Sequence, residues 1–216
     1  MHRLLPPENP VFQFLEKLFN LMLANVLFLV CSLPVVTFGA ALTGLIQVAQ
    51  DQIFDEDQPV VRRFFRAFRE NLGQGTAAWG MLALFLAGMG CNLLLILAYL
   101  DGWIAQLLKI LVYVLTAVVI CLMSYLFPLI TRYRNGMVSQ MNNSVILAVV
   151  KLPRTLLMGV LNTLIFWIPF FSMQTFLATT VFWLVIGFAF IAYVDGLLLA
   201  PVFKQMEQEK TVDILT

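Results

Sequence analysis

Long apolar stretches alternate with short polar breaks along this chain. Residues 18–50, 76–100, 103–131, 155–173 and 176–203 contain almost no Asp, Glu, Lys or Arg. A hydrocarbon core of about 30 Å is crossed by about 20 helical residues, so each stretch predicts at least one membrane-crossing helix. The first is too long for one, because its 33 residues would make a helix of about 50 Å. Pro34 stands in its middle, where a missing N–H and a ring clash break a helix, and Gly39 follows. The pattern therefore predicts helices at 12–32 and 35–50 folded at Leu33-Pro34, then spans at 76–100, 103–131, 155–173 and 176–203. A single kinked first helix is the alternative. The expected fold is an all-α polytopic membrane protein of five to six transmembrane helices, forming one integral membrane domain over 1–216.

The breaks carry the charge. The loop at 51–75 holds Arg62, Arg63, Arg66 and Arg69, the loop at 132–154 holds Arg132, Arg134, Lys151 and Arg154, and the tail holds Lys204 and Lys210. The short turns near Asp101-Gly102 and Ser172 hold no basic residue. Lys and Arg resist translocation, so the three basic segments are expected on the cytoplasmic face of a plasma membrane. With a hairpin at Pro34 the N-terminus joins the C-terminus there. The first apolar run is expected to be retained: Glu8 and Glu16 interrupt a signal-like N-terminal region, and no clean A-x-A site ends the run.

Residues 60–72 show a different periodicity. With Phe64 at 0° on a helical wheel, Val60, Val61, Phe65, Phe68 and Leu72 fall between about −40° and 100°, and Arg62, Arg63, Arg66, Arg69 and Glu70 between about 140° and 260°. Such a basic amphipathic helix lies in a membrane interface, with its rings below the headgroups and its arginines on anionic lipid phosphate. Asp55, Glu56 and Asp57 precede it and suit the positive end of its dipole. Two readings share this geometry, a positive-inside anchor or a surface that docks a partner. A weaker interfacial segment at 141–151 precedes Pro153. The chain thus reads as one hairpin followed twice by an interfacial segment and a hairpin.

Composition narrows the chemistry. The chain is 61% hydrophobic and 12% charged, with mean hydropathy +0.91, against about 25% charged in soluble proteins. A net charge of +1 leaves no nucleic-acid footprint. With one histidine, His2, a His-based metal or catalytic site is nearly excluded. Cys31, Cys91 and Cys121 are isolated in apolar stretches without CxxC spacing and read as small buried hydrophobes. No H-E-x-x-H, G-x-S-x-G or Walker A motif occurs. The expectation is a non-enzyme with no cofactor and no metal.

Polar and small residues inside the spans are the remaining candidates. Ala40-x-x-x-Gly44, and Gly80, Ala83, Ala87 and Cys91 with Gly88 and Gly90, form small faces that let helices approach closely. They predict packing within the chain, or a homo-oligomer seam. Asn25, Asn92 and Asn162 are expected to bond between helices, since an amide in hydrocarbon needs a partner. Asp195 lies nine residues before Lys204, about 13 Å from that end. Charged and unpaired it would cost at least about 2.5 kcal/mol. It predicts either a proton or cation site or an ion pair with Arg132, Arg134 or Arg154.

The run Asn25-Val-Leu-Phe-Leu-Val-Cys-Ser-Leu-Pro-Val-Val-Thr-Phe-Gly-Ala-Ala-Leu, residues 25–42, resembles the opening signature of the YesL-like family of bacterial membrane proteins of unknown function. Phe64-Phe65-Arg66-Ala67-Phe68-Arg69-Glu70-Asn71 is similar to that family's Phe-rich stretch, and the span pattern and closing Asp-containing helix also resemble it. Gly39-Ala40 stands where the family often has Gly-Pro. The resemblance implies a multi-spanning plasma-membrane protein of Gram-positive-type bacteria. Members are often encoded beside carbohydrate ABC importers and glycosidases, which implies an accessory role in sugar uptake with importer components as partners. It implies no catalytic or ligand residues.

Overall fold

Pro34 divides the first apolar stretch where its missing donor requires. In a computed structural model, which describes residues 10–54, 58–168 and 172–215, α1 (Pro10–Ser32) ends just before it. A 3-10 turn at Val35–Thr37 follows, and α2 (Phe38–Ile53) folds back. The Thr37 hydroxyl closes the turn by donating to the carbonyls of Cys31 (2.7 Å) and Pro34 (2.8 Å). The hairpin is antiparallel: Phe28 meets Phe38 beside the turn (centroids 5.4 Å apart), and Asn20 donates to Gln52 near the open end (3.4 Å). His2, the acidic triplet Asp55, Glu56 and Asp57, and the 169–171 part of the expected fifth span lie outside the described residues.

The other helices are α3 (Val60–Glu70), α4 (Leu72–Tyr99), α5 (Gly102–Arg132), α6 (Met137–Val150), α7 (Leu152–Trp167), α8 (Met173–Phe182) and α9 (Phe188–Leu215). No strand occurs among the described residues. The α4–α5 turn needs glycine, because Gly102 has φ +81°, a region side chains disfavour. Ser172 starts α8 with a capping box, its hydroxyl accepting from the Thr175 N–H at 3.2 Å.

Among the described residues, Val11–Ser32, Leu72–Tyr99, Gly102–Arg132 and Met173–Met206 are long and apolar enough to cross a membrane. A fifth arises only if α6 and α7, bent by 96° at Lys151, form one broken span. Large side chains such as Leu84, Leu94 and Trp103 are 76%, 68% and 73% exposed, which suits lipid and not water. The chain is thus an all-α polytopic membrane protein with four to five such helices.

Two expected spans change character. The segment expected at 35–50 is α2, whose 16 residues reach only about 24 Å. It is buried from Gly39 to Asp51 almost throughout, with α1, α3, α4, α5 and α9 packed around it. It is a protein-lined core helix. The segment expected at 155–173 begins earlier, at Leu152, and α7 ends at Trp167, too short to cross alone. The interfacial segment expected at 141–151 starts four residues sooner, as α6 from Met137.

The basic segments converge at one end of the bundle. Glu70 bonds Arg134 (3.2 Å), Gln74 donates to the Asn135 carbonyl (3.0 Å), and Lys151 donates to Gln205 (3.0 Å).

Candidate functional site

The two faces of α3 differ in burial, and part of the apolar face is covered by protein. Phe64 is fully buried, and Phe65 and Phe68 pack against the same core. A Cβ on Gly44 of α2 would lie 3.0 Å from the Phe64 ring, so that glycine makes room for the phenylalanine. Phe64 thus lies inside the protein, while Phe65 and Phe68 are partly covered and Val61 and Leu72 of the same face stay exposed.

The polar side of α3 is anchored as well. Arg63 donates from Nε and Nη2 to Asp51 (2.7 and 3.1 Å), and Gln47 adds a bond to the same carboxylate at 2.8 Å. The Asp51 side chain is only 4% exposed, so the bidentate guanidinium balances a charge that burial would otherwise penalise heavily. Gln47 and Asp51 continue the stripe begun by Gly44 at helical spacing on α2.

Beyond this clamp α3 divides again. Arg62 and Arg69 are exposed on its outer side. Arg66 turns toward Glu70 (3.1 Å), whose other oxygen accepts from Arg134 at 3.2 Å. Glu70 is thereby held below the ordinary glutamate value of 4.5, first by the Arg66 hydrogen bond, with Arg134 adding to it against the opposing effect of burial. Arg132, in the last turn of α5, lies 4.0 Å from the Phe54 ring centroid and 5.5 Å from that of Phe203. Arg63, Arg66, Glu70, Thr131, Arg132 and Arg134 surround a cleft of 310 Å³ between α2, α3 and the end of α5.

Residues 21–93 match the family described as a protein of unknown function, DUF624. That segment contains the whole α2–α3 clamp, but not Arg132 and Arg134. No curated protein and no solved structure matches the chain.

The intramembrane polar residues part ways. Asn25 on α1 is fully buried, and its amide donates to the carbonyls of Trp183 (3.1 Å) and Leu184 (2.9 Å) while accepting from the Ala189 N–H (3.0 Å). Those groups belong to the π-helical turn Trp183–Gly187 joining α8 to α9, and to its exit. The side chain is inserted into the backbone ladder, which is how such a turn is held. Asn25 thus does bond between helices. Asn92 does not: it is exposed on α4 and donates to the Gly88 carbonyl of its own helix (2.9 Å), because nothing packs beside it there.

Asn162 on α7 donates to Asp195 Oδ2 on α9 (3.0 Å). Among the described residues this amide, and no arginine, is the partner of Asp195, while its Oδ1 is buried without one. Arg132 and Arg134 are drawn instead to the Phe54–Phe203 pair and to Glu70. Sequence reading passed over Asp51, which looked like the first residue of a loop, and the assembly of Arg132 and Arg134 with Arg63 and Arg66. The α2 stripe through Gly44, Gln47 and Asp51 was the one available signal.

Proposed function

We propose that this protein is a non-catalytic membrane component that docks an acidic surface of a cytoplasmic partner on the outer side of α3. The observation that carries this reading is the buried Asp51–Arg63 pair. Together with Phe64 over Gly44, it makes α3 a rigid platform instead of a floating interfacial helix. A fixed platform presenting Arg62 and Arg69 costs little ordering entropy when a partner binds. The partner we favour is a component of a carbohydrate ABC importer, a choice resting on the YesL-like resemblance, which is association and not site chemistry. A plasma-membrane location with both termini cytoplasmic belongs to the same proposal and follows from the basic segments.

Mild-detergent purification from cells grown on different sugars tests this reading. The expected result is co-recovery of importer subunits, lost in Arg62→Glu/Arg69→Glu. Recovery of a lone protein on every sugar, or importer capture indifferent to charge reversal, rejects it. Cysteine labelling of intact cells adds the topology: a residue beside Gly102 reacts and one beside Arg66 stays protected.

A second reading is a small proton- or cation-coupled transporter or channel using Asp195. The buried, unpartnered Asp195 Oδ1 favours it, since an intramembrane acid marks an ion or proton path by default. Asp195→Asn then abolishes a proton- or cation-dependent flux in proteoliposomes. Absent flux, or flux that survives the substitution, removes this reading.

A further inference from the structure

The turn between α1 and α2 has no polar tip. Leu33, Pro34, Val35 and Val36 are all apolar and all exposed, Leu33 to 79%. The α4–α5 turn presents Asp101 instead, and Ser172 with Thr175 opens α8. Four consecutive apolar residues in water forfeit the gain that an apolar surrounding gives, so the depth of this turn decides what surrounds it.

Two measures of that depth agree. On α1, Asn20 meets Gln52 beside the Asp51–Arg63 pair, at the basic end of the bundle. Asn20 to Ser32 is twelve helical residues, about 18 Å of rise. On α4, which leaves the same end at Leu72, Gly39 lies against Gly75 and Trp79. Trp79 is seven residues along α4, about 10 Å, and the four residues from Gly39 back to Val35 add about 8 Å at most. The whole of α4 is 28 residues, about 42 Å. The turn therefore stops near the middle of α4, inside the apolar stretch that begins at residue 76. Packing says the same. The core around α1 and α2 takes Ala78 from α4 and Met123, Leu126, Phe127 and Ile130 from α5, all nearer the basic end, whereas Ile96, Ala105 and Val112 of the outer halves form a separate cluster.

We propose that α1 and α2 form a re-entrant hairpin, entering and leaving the bilayer on the side of the basic segments, with the turn Leu33–Val36 set among lipid acyl chains. α1 has the length to cross, but its contacts hold its end at mid-depth. The backbone suits that setting. Pro34 has no N–H to satisfy, and the Thr37 and Phe38 N–H groups donate to the Pro34 and Val35 carbonyls. The Ser32 hydroxyl donates to the Leu29 carbonyl, and the Thr37 hydroxyl to those of Cys31 and Pro34. Serine and threonine hydroxyls and short 3-10 turns are the devices that keep a proline-broken helix satisfied in hydrocarbon. Before Asn20, α1 carries Gln13, Glu16 and Lys17 among its apolar residues, a mix that suits the interface through which the hairpin enters.

The test uses the full-length protein carrying Cys31→Ala/Cys91→Ala/Cys121→Ala, in permeabilised lipid vesicles where a membrane-impermeant maleimide reaches both faces. Asp101→Cys and Arg69→Cys are expected to label fully. Val36→Cys is expected to stay unlabelled until the vesicles are dissolved in denaturing detergent, and Val35→Cys repeats the reading at a second position. A nitroxide on the same cysteines identifies the cover. At Val36 it should be relaxed by oxygen, which concentrates in hydrocarbon, and not by a water-soluble nickel chelate, with the reverse at Asp101. Labelling of both turn cysteines as fast as Asp101→Cys places the turn at a surface and overturns the proposal. A nitroxide reached by neither relaxant means that protein, such as a second copy, covers the turn, and overturns it equally. Because both faces are read at once, the result is independent of which one is cytoplasmic. A thermal melt of each variant confirms that the protein labelled is folded.

Discussion

The α2 core and the outer half of the α4–α5 hairpin use the same small residues for opposite ends. On α2, a Cβ at Gly39 would collide with the Gly75 carbonyl oxygen and sit 2.6 Å from Trp79 Cβ, so two helix backbones touch there. On α4, Cβ atoms at Gly80, Gly88 and Gly90 would meet nothing within 4 Å, and Cys91 and Asn92 are exposed beside them. Only a small cluster of Ile96, Ala105 and Val112 ties the outer arms of α4 and α5 together. The expectation that both small faces pack within the chain thus holds for α2 and fails for this face of α4. A small residue permits close approach, but only geometry says whether anything approaches. The α4 face remains available to lipid or to a second copy of the chain, so the homo-oligomer seam stays a proposal.

The sharpest way to break this contrast is a matched pair of glycine substitutions. Gly39→Leu should destabilise the detergent-solubilised protein by at least about 3 kcal/mol, since backbone blocks the new side chain and repacking cannot relieve it. Gly88→Leu should stay within about 0.5 kcal/mol in the same thermal melt. If it also disperses a cross-linkable oligomer, the α4 face is a seam between copies; equal melting of the two variants refutes the contrast.

The asparagines give the next largest difference. Asn25→Ala strands the Ala189 N–H and the Leu184 carbonyl and should cost about 1–3 kcal/mol, whereas Asn92→Ala, which loses a bond to its own helix, should be nearly silent. Thermal melts read both, and faster amide exchange around Ala189 in the Asn25 variant localises the damage.

The smallest effect is the pH dependence of the Glu70 contacts. Because its folded pKa is lowered, its contribution is present above the ordinary value of 4.5 and is lost as pH falls through the lowered one. With the side chain 44% exposed, screening keeps it below about 1 kcal/mol. The stability gap between the native protein and Glu70→Gln should therefore be small at neutral pH and close below pH 4.5; a gap that widens there contradicts the pairing.

The chain announces some of this architecture and conceals the rest for definable reasons. Pro34 is legible because its effect on a helix is local, and the two faces of α3 because periodicity is local. The hub role of α2 is not, since an apolar 16-residue helix reads the same whether lipid or protein surrounds it. Phe64 likewise shows that it seeks an apolar surface, without showing that Gly44 supplies one. The cleft depends on Glu70 meeting Arg134, 64 positions away, and Asp195 on Asn162, 33 positions away. No spacing rule encodes either.

The reach of Asn25 bears on how the protein is made. Its backbone partners begin 158 residues later in the chain, so α1 is made well before the groups its amide bonds in the folded protein. The bond set is complete only once the segment from Trp183 to Ala189 is in place. A product truncated before Trp183 would leave the Asn25 side chain without the three backbone partners it has in the folded protein.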